Sequence, residues 1–589
     1  MTVAGIATLV ITESMLQEEK DQKPDGLPIC CPDREPNKPM QRALKWMERN
    51  FAVKHNPRSK GWLLYYLYGL ERAGRLSGTR FFGKHDWYRK GARFLVNQQD
   101  QRRGGWPGVG AGEKDPIVGT SFALLFLSKG LAPVLINKLK FGPPNPTNKN
   151  EILSDNWNKH RNDVRNLTEH VSGLKKWPKL LTWQVVDLPK AAANGDVRDL
   201  LQAPILFMSG VDAPKFSSPT QIELLREYIN QGGFIFAVAN CSGAGFEDGF
   251  RELIHKKLFP GAEAELKRLG ADHAVYQSEY QLDHESVELY GVDFGCRTVI
   301  IYSPEDLSCL WDKWAVQDPP GLSPQFKGLI LRATKIGVNV VAYATGRELL
   351  GKLKRQEAIV QSGKNDKIQR GLLEIAQIRH NGKWDAAPQA LRNLLLALNR
   401  TVGLAASTKP KSLPATDPNI FKYPVVYMHG RNRFQLSRPE REQLKVYLSR
   451  GGVLFADSCC GSRKFDRSFR DLIAQMYPDR KFQRIPASHE IFSSQIGHNI
   501  SEVKRRTRRV NSPNATLETS IVTGEPFLEG IEIEGRYAVI YSKYDISCAL
   551  QRQSSIACTG YLPDDAVKIA VNVILYAMLQ DVRFADAVK

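Results

Sequence analysis

Apolar residues recur at helical spacing through the first 140 positions. Stretches near Val3–Met15, Pro39–Phe51, Trp62–Ala73, Trp87–Val96 and Thr120–Ser128 each keep one face apolar. Gly/Pro/Asn-rich breaks separate them, among them the segment Gln98–Gly108. The pattern predicts about five helices and no strands, packed in pairs. Residues 141–156, FGPPNPTNKNEILSDN, read as a linker. The pattern then changes. ILFM at Ile205–Met208 and VVYM at Val425–Met428 are short continuous apolar runs, as strands buried on both faces require. An amphipathic helix follows each, Thr220–Asn230 and Arg441–Ser449, opened by Ser-x-Pro and closed by Gly-Gly before a second apolar strand. This alternation predicts parallel sheets with helices on both faces and ligand sites at the carboxyl ends of the strands.

The two runs belong to an internal repeat. GGFIFAVANCSGAGFEDGFRELI at Gly232–Ile254 aligns without a gap to GGVLFADSCCGSRKFDRSFRDLI at Gly451–Ile473, with 10 of 23 positions identical. Five further pairs keep the same order: Trp157…Leu167 with Trp384…Leu394, Pro204–Gly210 with Pro424–Gly430, Ala271–Tyr276 with Ala487–Phe492, Arg297–Cys309 with Arg536–Cys548, and Lys335–Ala344 with Lys568–Ala577. Six ordered blocks are a duplicated domain. The expected organisation is a helical region at 1–140, the linker at 141–156, a first α/β copy at 157–346, a basic helical linker at 347–376 and a second α/β copy at 377–589.

Two resemblances follow from these residues. KPMQRALKWMERNF, WLLYYLYGLERAG, HDWYRKGARFLVNQQDQRRGGW and DPIVGTSFALLFLSKG resemble repeats of the prenyltransferase/squalene-cyclase αα-toroid. Gln99, Gly104 and Trp106 are similar to the glutamine–tryptophan motif that ties one helix to the next in squalene cyclases. The acidic D-x-D-D motif and the prenyltransferase zinc set are absent from the sequence, so the resemblance implies a partial toroid without that activity. The second copy, through NGKWDAAP, YPVVYMHGRNRFQLS, GGVLFADSCCG, FDRSFR, SHEIF and AVIYSKYD, resembles the bacterial domain-of-unknown-function family numbered 4159. That family is similar to the class I glutamine-amidotransferase-like superfamily, which implies a flavodoxin-like three-layer fold, with the first copy a divergent version. The combination implies a cell-envelope location. The apolar stretch Val3–Ile11 lacks the basic flank and cleavage site of a signal peptide.

Composition is that of ordinary globular chains, with 42% hydrophobic and 24% charged residues. No apolar run in the sequence reaches the length that spans a bilayer. The formal charge of +20, from 82 basic and 62 acidic residues, favours polyanionic partners. Its densest cluster is KRRTRR at Lys504–Arg509, and Arg347–Lys383 is also basic; neither is interleaved with aromatics. Nine cysteines in 589 residues do not read as a disulfide framework, and no paired CxxC spacing predicts a zinc site.

The resemblance places a nucleophile on a sharp turn after the second strand. Counting from the glycines puts that elbow near Asp457, with Val238 at the matching point of the first copy. Cys460 and Cys241 lie three residues further on and align with each other. His489 and His273 align too, so a Cys460–His489 dyad with Asp457 orienting the imidazole is one reading. The other makes Cys460 a buried residue at a helix start and His489 a cap. Asp457, His489, Cys460 and Asp545 read weakly as metal ligands. Gly243–Gly249 reads as a flexible strand–helix loop. Arg251 and Arg470 match across the repeats as anion ligands or salt-bridge partners, and Tyr302 and Tyr541 as ligand-facing or core-capping residues. No cofactor is expected. The reading that emerges is a non-catalytic binding or scaffolding protein of the envelope, with a glycan or protein partner. A Cys/His hydrolase or amidotransferase and a polyanion binder are the alternatives.

Overall fold

The computed structural model describes residues 2–15, 23, 28–30, 37–110, 112–146, 152–153, 156–241, 243–261, 264–313, 322–347, 349, 373–401, 403, 406–407, 410–509, 515–553 and 555–580. Most of the expected basic linker at 347–376 lies outside them. By internal contacts the chain divides into one unit of residues 1–229, 233–292 and 299–358, and a second of residues 230–232, 293–298 and 359–589.

The first unit opens with the five expected helices: α1 (Thr2–Met15), α2 (Lys38–Arg49), α3 (Leu63–Leu76), α4 (Trp87–Gln98) and α5 (Pro116–Gly130). Asn37, Asp86 and Asp115 cap α2, α4 and α5 by accepting the N–H groups of Met40, Arg89 and Ile117. A two-strand hairpin, β1 (Phe81–Phe82) with β2 (His85–Asp86), joins α3 to α4. Helix α3 is central, and its Leu64, Leu67, Leu70 and Ala73 pack with Ile6, Trp87 and Phe126. The Gln99 amide donates to Gly104 O at 2.8 Å. The Trp106 indole donates to Leu95 O at 2.6 Å, and its backbone N–H to Thr120 Oγ1 at 3.0 Å, so this turn fastens the end of α4 to α5.

The helical region ends before residue 134, earlier than expected. VLINKLK, with its two lysines, carries no buried-strand signature, yet it forms β3 (Val134–Lys140), buried along almost its whole length. Lys138 is accommodated there by Asp163 at 2.6 Å and by the His160 carbonyl. Strand β3 sits inside a seven-stranded sheet with β4 (Thr182–Asp187), β5 (Ile205–Gly210), β6 (Phe234–Ala239), β7 (Lys267–Arg268), β8 (Tyr290–Phe294) and β9 (Arg297–Ser303). The order is β4-β3-β5-β6-β9-β8-β7, with the first five strands parallel. Counted along the chain, those five run 2-1-3-4-5, a doubly wound order. The intervening helices are α6 (Asp163–Gly173), α7 (Leu188–Asn194), α8 (Pro219–Asn230), α9 (Ala244–Glu252), α10 (Leu307–Asp312) and α11 (Pro324–Thr345). The glycine-rich segment expected as a flexible loop is instead the start of α9. Gly243 has no room for a side chain there, since a Cβ would meet Val211 O at 2.4 Å.

The second unit repeats this sheet with β10 (Ala376–Arg379), β11 (Lys411–Pro414), β12 (Val425–Gly430), β13 (Val453–Ser458) and β14 (Gln483–Arg484). A side sheet comes next in the chain, β15 (Val503–Arg509) and β16 (Glu518–Gly524), before β17 (Glu529–Ile533), β18 (Arg536–Ser542) and β19 (Gly560–Tyr561). The main order is β11-β10-β12-β13-β18-β17-β14, and β16-β15-β19 forms the side sheet. Helices α12 (Ala390–Thr401), α13 (Arg438–Ser449), α14 (Arg463–Met476), α15 (Ser547–Leu550) and α16 (Pro563–Met578) complete it.

One buried asparagine per copy locks the last helix to the loop beside it. Asn339 on α11 bonds the N–H groups of Glu279 and Tyr280 and the carbonyls of Val275 and Tyr280. Asn572 on α16 bonds the N–H of His498 and the carbonyls of Ile491 and His498. A leucine of similar size leaves those backbone groups unpaired. Asn572→Leu is therefore expected to destabilise the protein by about 2–4 kcal/mol, read from the urea midpoint. A shift equivalent to less than about 0.5 kcal/mol contradicts this role.

Candidate functional site

At the carboxyl end of β13 the chain turns sharply before α14. The residue in the left-handed conformation is Cys460, with φ 54° and ψ 20°. In the first unit the matching residue after β6 is Cys241, with φ 56°. The sharp turn thus falls at the aligned cysteines, three residues beyond the position counted from the glycines. Asp457 is still strand, at the end of β13. A non-glycine residue in this conformation costs about 1–2 kcal/mol, so something must hold it.

What holds it is a buried carboxylate. Asp545, just after β18, accepts the Cys460 N–H at 2.8 Å through Oδ1. The same oxygen takes the Cys548 N–H at 3.1 Å, and Oδ2 takes the Ala549 N–H at 3.1 Å. Asp306 does the same in the first unit, accepting from Cys241 at 2.8 Å and from Cys309 at 2.9 Å. Each aspartate caps the short helix that follows it and fixes the preceding turn. Gly461 completes the bend at φ 65°, where a Cβ would meet Thr559 Oγ1 at 2.1 Å.

The electrostatics of the two copies differ. Burial raises the Asp306 affinity for protons, but His160, with Nε2 at 3.1 Å, and the backbone N–H groups outweigh it and hold the carboxyl below its usual range. The matching position of the second copy is Ala387. There burial, and next the charge of Asp457, push Asp545 up to about 7. Asp457 is itself raised by burial, while it accepts from Tyr427 Oη, the N–H groups of Ile546 and Ser547, and Ser547 Oγ.

The turns gather sulfur. Cys30–Cys309 is a disulfide of the first unit, and Cys241 is disulfide-bonded as well. Within the second unit the bonds are Cys296–Cys548 and Cys460–Cys558. Among the described residues only Cys459 is a free cysteine, and it is fully buried. The expectation that the cysteines form no disulfide framework is therefore overturned. The bonded partners lie 279, 252 and 98 residues apart, out of reach of any spacing argument. Cys459 Sγ lies 2.9 Å from Cys548 Sγ and 3.4 Å from Cys296 Sγ, and Cys460 Sγ lies 3.4 Å from Cys548 Sγ. Sulfur atoms of Cys459, Cys460 and Cys548 and a carboxylate oxygen of Asp545 all fall within 4.8 Å of one another. In the first unit, Cys30, Cys309 and Asp306 form one such group and His160, Cys241 and Asp306 another.

The structure does not join Cys460 to His489. Cys460 is bonded to Cys558. The His489 Nδ1 accepts the Ile491 N–H at 3.2 Å and caps a short 3₁₀ turn, with its ring between Tyr537 and Tyr576. His273 caps the matching turn and lies against Tyr343. Asp457 orients no imidazole; its partners are the groups named above. Arg251 pairs with Glu247 at 2.8 Å, and Arg470 with Asp466 at 3.0 Å and Glu529 at 2.6 Å, which occupies both with carboxylates. The buried Tyr302 and Tyr541 donate to those same acids, Glu247 and Asp466, at 3.2 and 2.9 Å. They cap the core. Sequence reasoning missed His160, Asp306, Cys309, Cys459, Cys548 and Cys558. Asp306 and Cys309 could have been found, since the aligned blocks RTVIIYSPEDLSC and RYAVIYSKYDISC repeat D-x-x-C.

Two stretches of the chain, 149–345 and 374–578, match one family model, described as Domain of unknown function (DUF4159). No curated protein matches the chain.

Two other histidines of the second copy are buried without charge. Burial lowers His429 to about 3 and His380 to about 4, with His380 Nε2 bonded to the His429 carbonyl. Unfolded histidines bind protons below about 6.5, and these two do not. The unfolded state then holds more protons, so stability falls as pH drops from about 6.5 toward 4. His380→Gln is expected to flatten the decline in melting temperature between about pH 7 and pH 5. An identical decline in the variant contradicts it.

Proposed function

The chain belongs to the DUF4159 family, in two copies, and from that premise we propose that it is a non-catalytic binding protein of the cell envelope. Its ligand is an acidic glycan, and its contact surface is the aromatic platform beside the second cysteine turn. One observation carries this reading. Tyr544 and Phe527, half-buried, meet edge to face with centroids 5.7 Å apart, and the Arg505 guanidinium lies 4.4 Å over Tyr544. The Lys543 ammonium lies 4.3 Å from Phe527 and 5.5 Å from Tyr544, and Arg484 lies 5.5 Å from Phe527. Two rings packed edge to face, with cations over them, offer an aromatic edge and positive charge to a sugar ring that carries carboxylate or sulfate groups. Arg505 comes from the KRRTRR segment, which forms strand β15. Folding supplies the aromatic neighbours that this segment lacks in sequence.

Other features support the same reading. The bonded state of Cys460 and the capping role of His489 speak against a Cys460–His489 nucleophile and base. Disulfides persist in oxidising compartments, in keeping with an envelope location. No helix among the described residues is long and apolar enough to cross a membrane. The 2-1-3-4-5 order of parallel strands and the turn at the aligned cysteines favour an amidotransferase-like, flavodoxin-like ancestry for both copies. The Gln99–Trp106 turn favours a partial αα-toroid for the helices, with Tyr65, Ile117 and Leu124 exposed as contacts for a protein partner.

The test is binding to heparin and alginate as acidic probes, with dextran as the neutral control. Affinity is expected to fall steeply with salt. Tyr544→Ala and Arg505→Ala are each expected to weaken it by about fivefold or more. Salt-independent binding, or full affinity in both variants, overturns the reading. So does hydrolysis of an amide or ester substrate that Cys460→Ala abolishes in a folded protein.

A further inference from the structure

The second cysteine turn holds more sulfur than its disulfides use. Two disulfides need four sulfur atoms in two pairs, and the pairs need not touch. Here Cys459, a free thiol, adjoins both members of the Cys296–Cys548 pair, and Cys460 of the other pair adjoins Cys548. The sulfurs come from separate segments: the turn after β13, helix α15 and the loop before β19. All are held in place by backbone bonds. Asp545 fixes the amides of Cys460 and Cys548, and Cys558 N–H is bonded to Ser555 O at 3.0 Å.

A thiol–disulfide relay does not account for this arrangement. Exchange proceeds by attack along the S–S axis, which places the attacking sulfur about 2 Å farther from one sulfur than from the other. Cys459 is 2.9 and 3.4 Å from the two, so it sits beside the bond. Thiolates bound at about 2.3 Å to one tetrahedral cation, by contrast, lie about 3.8 Å from each other. The non-bonded separations of 2.9 and 3.4 Å fall about 0.4–0.9 Å short of that edge, so the sulfurs part slightly to take a cation. An iron–sulfur cluster, with several metal atoms between its cysteines, requires a wider cage.

We propose that Cys459, Cys460 and Cys548, in the reduced chain, together with the carboxylate of Asp545, form a site for one thiophilic divalent cation of the zinc class. The disulfides are the oxidised, metal-free state of the same turn. A small dithiol supplies two electrons and two protons to each of the Cys460–Cys558 and Cys296–Cys548 bonds, giving four thiols, and is itself oxidised to a cyclic disulfide. The cation then displaces three thiol protons and, with Asp545 as carboxylate, leaves a site of net charge −2; Cys296 and Cys558 stay thiols. Asp545, whose oxygens also accept the amides of Cys460 and Cys548, positions two of the ligand-bearing turns. The first unit carries a related set, since Cys30, Cys241, Cys309 and His160 surround Asp306.

The experiment uses the full chain, reduced anaerobically with dithiothreitol, loaded with cobalt(II) or zinc(II) and desalted. Thiolate-to-cobalt charge transfer with tetrahedral d–d bands is expected, together with bound zinc by elemental analysis. Cys459→Ser keeps both disulfides available for folding. It is expected to lose about one equivalent of zinc and the corresponding part of the cobalt spectrum. Cys548→Ser is expected to do the same, and circular dichroism checks that each variant is folded. Unchanged zinc and cobalt spectra in both folded variants overturn the proposal. So does a folded, reduced protein with no thiolate–cobalt band, including one in which Cys459→Ser changes only the disulfide pattern.

Discussion

A single carboxylate per copy, accepting the amides of two cysteines from opposite sides of a turn, is the contact on which this architecture rests. Asp545 in one copy and Asp306 in the other stand at the carboxyl end of the fifth parallel strand, where the sheet leaves backbone donors exposed. By gathering the N–H of the turn cysteine and of the helix cysteine, each aspartate compensates for a left-handed residue that is otherwise strained. It also sets the distance between two sulfur atoms. Both disulfides and any cation at the turn inherit that distance.

Duplication allowed the two turns to diverge around this fixed element. The first copy has His160 against its aspartate and Val238 in the strand; the second has Ala387 and Asp457. The imidazole keeps Asp306 readily ionised, while burial and then the second acid make Asp545 reluctant to lose its proton. One rim is thus an imidazole–sulfur site, and the other a sulfur site with two buried acids. One residue from Asp545, the Tyr544 ring carries the Arg505 guanidinium over it.

Much of the fold was legible because it follows from patterns of short range. Continuous apolar runs, Ser-x-Pro starts and Gly-Gly stops located β5, β6, β12, β13 and the helices between them. The aligned blocks exposed the duplication, while the role of the asparagine they share, Asn339 and Asn572, emerged only from its backbone contacts. Strand β3 was hidden because Lys138 interrupts its apolar run, and only the buried partner Asp163 explains the lysine. The site was legible in part. The aligned cysteines marked the turn, but counting from the glycines placed the bend three residues early, since β13 runs through Ser458. The sulfur pairing, the capping roles of His489 and His273, and the aromatic partners of Arg505 are contacts across long sequence separations. Spacing carries no trace of them.

Peptide mapping of the unreduced native protein under acid quench tests the central claim most directly, because it reads which sulfurs the aspartate-held turns bring together. The account predicts Cys460 linked to Cys558, Cys296 linked to Cys548, and Cys459 recovered as an alkylated thiol. Recovery of Cys460 as a free thiol, or its linkage to a cysteine outside the second unit, contradicts the account.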